Sequence, residues 1–270
     1  MGLYSPEGKC QHSLAPLPPS PIGIGFLTLA LLNKQILACG GTNNRNCYRY
    51  VVATDVWSIY STGNVVHTDR RGFVHQGKIY LPDDTQPEVF DPITRIWSTW
   101  SAPLSSVYSS CFVSWKNIIL GFGGLNNKLA VFQFDPSTNT WTTLSPSSPP
   151  MGLVHSSCVV LPNMNVLLAG TSSEPENYNR LAVYNVTTNT WPLTTYATVN
   201  LYHSSILIMG NRYFAIPHYE YSTVIEYNYY NNTASSMNTL INLSRPSYVG
   251  AISVPASWFN HLPNGCIGVK

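Results

Sequence analysis

The sequence predicts an all-β chain assembled from one repeated four-stranded unit, and three observations carry that expectation. The first is composition. Charged residues make up only 10% of the 270 residues and hydrophobic ones 44%, which excludes a solvated disordered chain or a long charged helix. Tyr (17), Pro (20) and Gly (18) are plentiful, a mixture that favours short strands separated by turns. The second is an aromatic residue followed seven positions later by Trp, in three nearly superimposable copies: PEVFDPITRIW (Pro87 to Trp97), VFQFDPSTNTW (Val131 to Trp141) and LAVYNVTTNTW (Leu181 to Trp191). Each reads as a strand, a turn of Asp, Asn, Pro and Thr, and a returning strand opened by the Trp. The third is a half-unit before each hairpin, running from a polar start through two apolar strands joined by a short turn to a Gly-Gly exit. A chain of this length buries ~70 to 75% of its unfolded surface, so a large core is expected.

In chain order the half-units are IGIGFLTLALLNKQILACGG (Ile22 to Gly41), RRGFVHQGKIYLP (Arg70 to Pro82), VYSSCFVSWKNIILGFGG (Val107 to Gly124), VHSSCVVLPNMNVLLAG (Val154 to Gly170) and YHSSILIMGNRYFAIP (Tyr202 to Pro217). Small residues suit inner strands that crowd a common axis, and glycine permits the tight exit from the second strand. Two weaker hairpins complete the series. SIYSTGNVV (Ser58 to Val66) is one residue shorter than the others, and VIEYNYYNNTA (Val224 to Ala234) has Ala in the Trp place.

These residues resemble the kelch repeat, an apolar strand ending in Gly-Gly, then an aromatic and a Trp about seven residues later. The resemblance covers essentially the whole chain and implies an all-β, six-bladed β-propeller with four antiparallel strands per blade. Gly40-Gly41 and Gly123-Gly124 are intact pairs, while Leu81-Pro82, Ala169-Gly170 and Ile216-Pro217 depart from the pattern. The termini set the blade count. LYSPEGKCQHSLAPLP (Leu3 to Pro18) reads as third and fourth strands, with Tyr4 as the aromatic and Cys10 in the Trp place. PSYVGAISVPASWFNHLPNGCIGVK (Pro246 to Lys270) reads as first and second strands. Paired, they close the ring and remove two exposed edges. The expectation is one domain, 1–270, with a blade shared by 1–18 and 246–270 and the others at about 19–68, 69–103, 104–150, 151–197 and 198–245. Six blades share the 270 residues at 45 each.

Charge and motifs narrow the function. A net charge of +2 with scattered Lys and Arg gives no basic stripe for nucleic acid and no polybasic membrane patch. The longest apolar run, Ile22 to Leu32, is too short for a bilayer, and Met1 to Cys10 lacks the pattern of a secretory signal. The resemblance extends to galactose oxidase, whose copper is held by Tyr and His. The seven histidines, His12, His67, His75, His155, His203, His218 and His261, form no H-x-H or H-x-x-x-H cluster, and G-x-S-x-G, P-loop and H-E-x-x-H signatures are missing. The expectation is therefore no enzyme, no metal and no cofactor.

A protein- or peptide-binding platform is the favoured reading, with a carbohydrate-binding or sugar-processing propeller, galactose-oxidase-like or related to sialic acid, as the alternative. In a propeller the loops between strands two and three share one face with the starts of the first strands, around the channel mouth. Here the loops supply Arg45, Asp84, Asn126, Glu176 and Tyr219, and the strand starts Arg70, Tyr108, His155, Tyr202, His203 and Tyr248. This aromatic and polar mixture suits hot-spot contacts. His155 and His203 are expected at one repeat position, with Tyr108 equivalent in the blade before. The domain is expected to be monomeric. Intracellular kelch propellers often adapt substrates to ubiquitin ligases through a BTB domain, a role that here requires sequence outside these residues.

The cysteines and sequons bear on compartment. Cys39 and Cys47 flank the loop joining strands two and three of the first blade, so a cross-strand disulfide is geometrically available. Cys10 and Cys266 fall on strands two steps apart, roughly 9 to 10 Å, beyond disulfide reach unless loops bend together. Cys111 and Cys158 occupy equivalent strand positions and are expected to be free thiols acting as small hydrophobes. Sequons at Asn185, Asn231 and Asn242 fit exposed positions, the first two in strand three to four turns away from the binding face. Low charge, the available disulfide and the sequons tilt the expectation towards an extracellular setting, against the missing signal.

Overall fold

A computed structural model describes residues 2–4, 10–13, 28–41, 43–51, 54, 56–67, 71–103, 105–126, 128–144, 152–171, 179–197, 200–209, 212–217, 223–231 and 233–238. Among them every regular element is a strand. The first pair is β1 (Gly2–Tyr4) and β2 (Cys10–Ser13), antiparallel with Tyr4 opposite Cys10. Five four-stranded antiparallel sheets follow, each in simple meander order. Sheet one holds β3 (Thr28–Leu32), β4 (Gln35–Cys39), β5 (Asn44–Val51) and β6 (Val56–His67). Sheet two holds β7 (Phe73–His75), β8 (Lys78–Leu81), β9 (Glu88–Asp91) and β10 (Ile96–Thr99). Sheet three holds β11 (Cys111–Trp115), β12 (Ile118–Phe122), β13 (Val131–Asp135) and β14 (Thr140–Leu144). Sheet four holds β15 (Val154–Val160), β16 (Val166–Thr171), β17 (Asn179–Asn185) and β18 (Thr190–Tyr196), and sheet five β19 (Ser205–Met209), β20 (Arg212–Ile216), β21 (Thr223–Asn228) and β22 (Thr233–Asn238).

The first strands β3, β7, β11, β15 and β19 contact one another in succession, and apolar clusters fill the seams between successive sheets. Leu37, Ile79 and Phe90 pack between sheets one and two, Phe73, Phe112 and Phe134 between two and three. Leu120, Phe122 and Tyr184 fill the third seam, and Leu167, Tyr213 and Tyr227 the fourth. The stack curls. Packed sheets lie ~10 Å apart, so a flat stack would put sheet five roughly 30 Å from sheet two. Arg71, just before β7, instead reaches the backbone just before β19 at 2.5 Å. Sheets radiating from an axis lined by their first strands have the arrangement of a β-propeller.

The aromatic-to-Trp signature has a physical explanation. The two residues face each other across the β-hairpin: Phe90 and Trp97 with ring centroids 4.7 Å apart, Phe134 and Trp141 at 5.0 Å, Tyr184 and Trp191 at 4.9 Å. The indole then reaches the preceding sheet. Trp97 Nε1 donates to Ser61 Oγ and Trp141 Nε1 to Ser101 O, each at 2.9 Å. One residue thus holds its own hairpin and locks two sheets together. Sheet one corrects the reading of its hairpin: Ser58 to Val66 lies inside the single strand β6, and the aromatic and Trp are Tyr50 and Trp57, paired in register with centroids 5.4 Å apart. The intervening sequence, Val-Ala-Thr-Asp at 52–55, lacks the Asp-Pro or Asn-Thr composition found at this point of the other hairpins, which is why the repeat is displaced in the sequence pattern.

Gly123 shows why an inner strand exits on glycine. Its φ is +64°, and a Cβ there would meet the carbonyl oxygen of Leu153 at 2.1 Å. The backbone of the next sheet approaches that closely because Gly124 N donates to Leu153 O at 2.9 Å, so a side chain would break an inter-sheet hydrogen bond.

Two cysteine pairs are bonded. Cys39 and Cys47 pair directly across β4 and β5. Cys111 and Cys158 are joined as well, with Cα atoms 5.9 Å apart, which overturns their reading as free thiols. Equivalent inner positions of successive sheets are nearest neighbours around the axis, so equivalence itself brings the two sulfurs together. Cys10 lies on β2, while Cys266 lies outside the described residues.

Candidate functional site at the channel mouth

One residue in the left-handed region stands at the entry to each of β11, β15 and β19: Ser109 (φ 66°) and His203 (φ 55°) in short turns before their strands, and His155 (φ 49°) at the second position of β15. The turns 107–110 and 201–204 close with the same bond, Ser110 N to Val107 O and Ser204 N to Leu201 O, both 3.1 Å. His155 and His203 therefore share a repeat position as expected. The equivalent residue in sheet three is Ser109, however, not Tyr108. The alignment slips because β15 carries an irregularity between Val154 and Ser157, which adds a residue before the strand settles into register.

The turns converge. Ser109 Oγ lies 2.9 Å from His155 Nδ1, and His203 N donates to His155 O at 3.1 Å. The rings of His155 and Tyr202 have centroids 4.2 Å apart, as do His155 and His203, and Tyr108 stands edge-on to His155 at 6.5 Å. Below them Ser157 Oγ and Ser204 Oγ approach to 3.3 Å, and both reach Ala169 O.

Arg71 crosses the axis to this cluster from the other side. Its Nη1 donates to Ser204 O at 2.5 Å and to Ser205 Oγ at 3.4 Å, and its Nη2 to His203 O at 2.5 Å. Burial lowers the guanidinium to about 10. Burial also pushes the His155 imidazole down to about 4, and the Arg71 charge adds to that. At neutral pH the mouth therefore holds a neutral His155 beside a cationic Arg71. Arg71 escaped the sequence reading, which took its neighbour Arg70. The available signal was the Arg-Arg-Gly run at a point where other half-units have small polar residues.

Other expected residues behave differently. Asp84 is committed to the scaffold, its Oδ1 accepting from Val107 N at 2.8 Å and its Oδ2 from Ser106 Oγ at 2.9 Å. That ties the loop of sheet two to the entry of sheet three. Arg45 and Asn126 are exposed and outside the mouth cluster. Arg70, Glu176, Tyr219 and Tyr248 lie outside the described residues. At the opposite end Asn185 closes β17 and Asn231 lies in a turn, each with Oδ1 accepting nearby amides, Thr187 N and Thr188 N for Asn185 and Thr233 N for Asn231. Asn242 lies outside the described residues.

A second polar cluster escaped notice. Glu88, fully buried at the start of β9, accepts from Asn64 N (3.0 Å), Asn64 Nδ2 (2.9 Å) and Val65 N (3.2 Å), and its Oε2 lies 3.1 Å from His67 Nε2. Burial works to raise this carboxyl, but the hydrogen bonds from His67, Asn64 and Val65 outweigh it and hold the group below its ordinary value. Among the described residues no three His, Cys, Asp or Glu side chains gather as a metal site, and no helix is long and apolar enough to cross a membrane.

No protein-family model matches the chain, and no curated protein matches it in sequence. In three dimensions 539 solved chains are similar, enough that the fold is a common one. Among them the structure of YjhT superimposes with a TM-score of 0.61 over 80% of this chain and 84% of that chain, at 15% identity. At that identity the likeness speaks to fold and not to activity.

Proposed function

We propose that this chain is a non-catalytic kelch-type propeller that binds a protein or peptide at the channel mouth. The observation that carries this reading is the mouth itself. Partly exposed Tyr108 and Tyr202 pack against His155, and the charge of Arg71, which bonds the backbone of His203 and Ser204, acts on the same imidazole. Aromatic rings and arginine are the side chains enriched in binding hot spots, and the fixed turns preorganise them.

The ring is proposed to have six blades, closed by pairing N-terminal with C-terminal strands. Two observations support closure. The face of sheet one turned away from sheet two is buried, with Ala38 and Tyr48 at 1% and 2% exposure, and so is the far face of sheet five at Leu207 and Phe214. In β1 and β2 the aromatic Tyr4 pairs with Cys10, the residue in the Trp place, although the register shifts between Leu3 and Tyr4. Two disulfides among the described residues favour an oxidising compartment.

The test is the triple variant Arg71→Ala, Tyr108→Ala, Tyr202→Ala against the intact protein in a peptide-library display, with a glycan array in parallel. The expected result is selection of peptides by the intact protein and loss of that selection in a folded triple variant. Peptide binding retained by the variant moves the site elsewhere, and binding confined to the glycan array replaces this reading with a carbohydrate-binding one.

A further inference from the structure

At the end of the molecule opposite the mouth, two arginines share one aromatic ring. Tyr60 on β6 is held by its hydroxyl, which donates to Pro92 O at 2.9 Å, and by edge contact with Phe90. The guanidinium carbon of Arg49, on β5, lies 5.3 Å from the Tyr60 ring centroid, and that of Arg95 lies 4.6 Å from it. Arg95 belongs to the turn joining β9 to β10. Its backbone is fixed in the left-handed region at φ 60° and donates to Asp91 O at 2.8 Å. The guanidinium groups are thus brought to Tyr60 from two different sheets.

Among the described residues no carboxylate neutralises them. The carboxylate of that turn, Asp91, accepts from Ile93 N and Thr94 N and pairs with Lys78 Nζ at 3.4 Å. Among the described residues neither arginine makes an ion pair, and Arg49 Nε is buried with no acceptor. An aromatic face stabilises each cation only modestly at an exposed site, and the two like charges repel. An anion with several oxygens would satisfy both planar forks at once, which a single-point acceptor cannot. The flanks are apolar and open: Val56 is 54% exposed and Ile93 76%.

We propose that Arg49, Tyr60 and Arg95 form a binding site for the tetrahedral oxyanion of a phosphate or sulfate monoester, with Val56 and Ile93 beside the organic part of the ester. Two cations favour such a group over a single carboxylate. The site is at the opposite end from the mouth, so both can be occupied together, and it stands whether or not the mouth binds a peptide.

The test is a side-chain NMR titration of arginine Nε–Hε signals in the full chain with phenyl phosphate, phenyl sulfate and, as the planar control, benzoate. The expected result is saturable shifts of Arg49 and Arg95 with Kd on the order of 1 mM, weakened at least about tenfold by Arg95→Gln or Arg49→Gln. Arg95→Lys keeps the charge, loses the fork and gives an intermediate loss, and thermal melts verify that each variant is folded. Preference for phenyl phosphate assigns the phosphate source, and preference for phenyl sulfate the sulfate source. No saturation by either ester, benzoate binding as tightly as both, or unchanged titration in folded Arg95→Gln overturns the proposal.

Discussion

The two ends of this molecule satisfy their turn carboxylates and polar side chains in different ways. At the mouth the partner lies in another sheet: Arg71 bonds the backbone before β19, Ser109 meets His155, Asp84 holds Val107, and Glu88 takes amides from β6. At the opposite end the Asp and Asn side chains that open the hairpin turns find their partners in the same turn, and Tyr60 Oη, donating to Pro92 O, is a link between sheets there. Asp91 Oδ1 accepts from Ile93 N and Thr94 N, Asp135 from Ser137 N, Asn185 from Thr187 N, and Asn231 from Thr233 N. Local bonds form within one hairpin and tolerate variation one turn at a time. Bonds between sheets make the mouth a single cooperative object, so damage to one member there spreads around the ring.

The comparison can be broken by experiment, starting with the largest effect. Glu88→Ala leaves His67 and three amide donors of β6 without their acceptor, and breaking a buried pair of this kind costs about 3 to 5 kcal/mol; urea unfolding measures it. The same carboxyl gives a pH signature. Its pKa is lowered on folding, so its stabilisation is present above the unfolded value of about 4.3 and is lost as pH falls through the folded value. Glu88→Gln should flatten that acid limb. Separating Cys111 from Cys158 comes next. The bond closes a loop across 47 residues, and in the chain-entropy account its loss costs about 4 kcal/mol, read as a drop in Tm for Cys111→Ala with Cys158→Ala.

Arg71→Gln removes charge-assisted bonds to two carbonyls on the partly exposed mouth, for a net loss of about 1.5 to 3 kcal/mol. It should also raise the His155 pKa from about 4, because the Arg71 charge helps to depress it. In the intact protein His155 is neutral in the fold and titrates near 6.5 when unfolded, so its contribution is full above 6.5 and declines as pH falls towards 4. NMR titration of the ring protons follows both effects, and a His155 midpoint unmoved by Arg71→Gln would separate the two residues. The smallest effect belongs to the local end. Asp135→Ala, at the end of β13 where the turn begins, should give the smallest drop in Tm of the set and leave the His155 titration unchanged. A larger loss there, or a shifted midpoint, would erase the distinction between the two ends.

The strands, their grouping in fours and the hairpin turns were legible because their causes are local. Phe134 and Trp141 meet across a single turn, and Asp135 bonds an amide two residues away, so sequence spacing alone places them. Where the local cue was weak, at Tyr50 and Trp57, the hairpin was placed one strand too late. His155 and His203 were legible as repeat equivalents, yet Ser109 was missed in favour of Tyr108 because an irregularity of one residue leaves no mark in the pattern. Arg71, the Glu88 cluster and the Cys111 to Cys158 bond had no local mark, since each depends on how sheets curl around the axis.

By itself the sequence determined what forms within about a dozen residues: alternation that makes strands, turn residues that reverse them, and an aromatic and Trp spaced to face each other. Tertiary structure alone decided which side chains meet between sheets. Curling of the stack brings residues 132 positions apart, such as Arg71 and His203, into hydrogen-bond contact. No local periodicity encodes that meeting, because it is set by the summed packing of every seam between them.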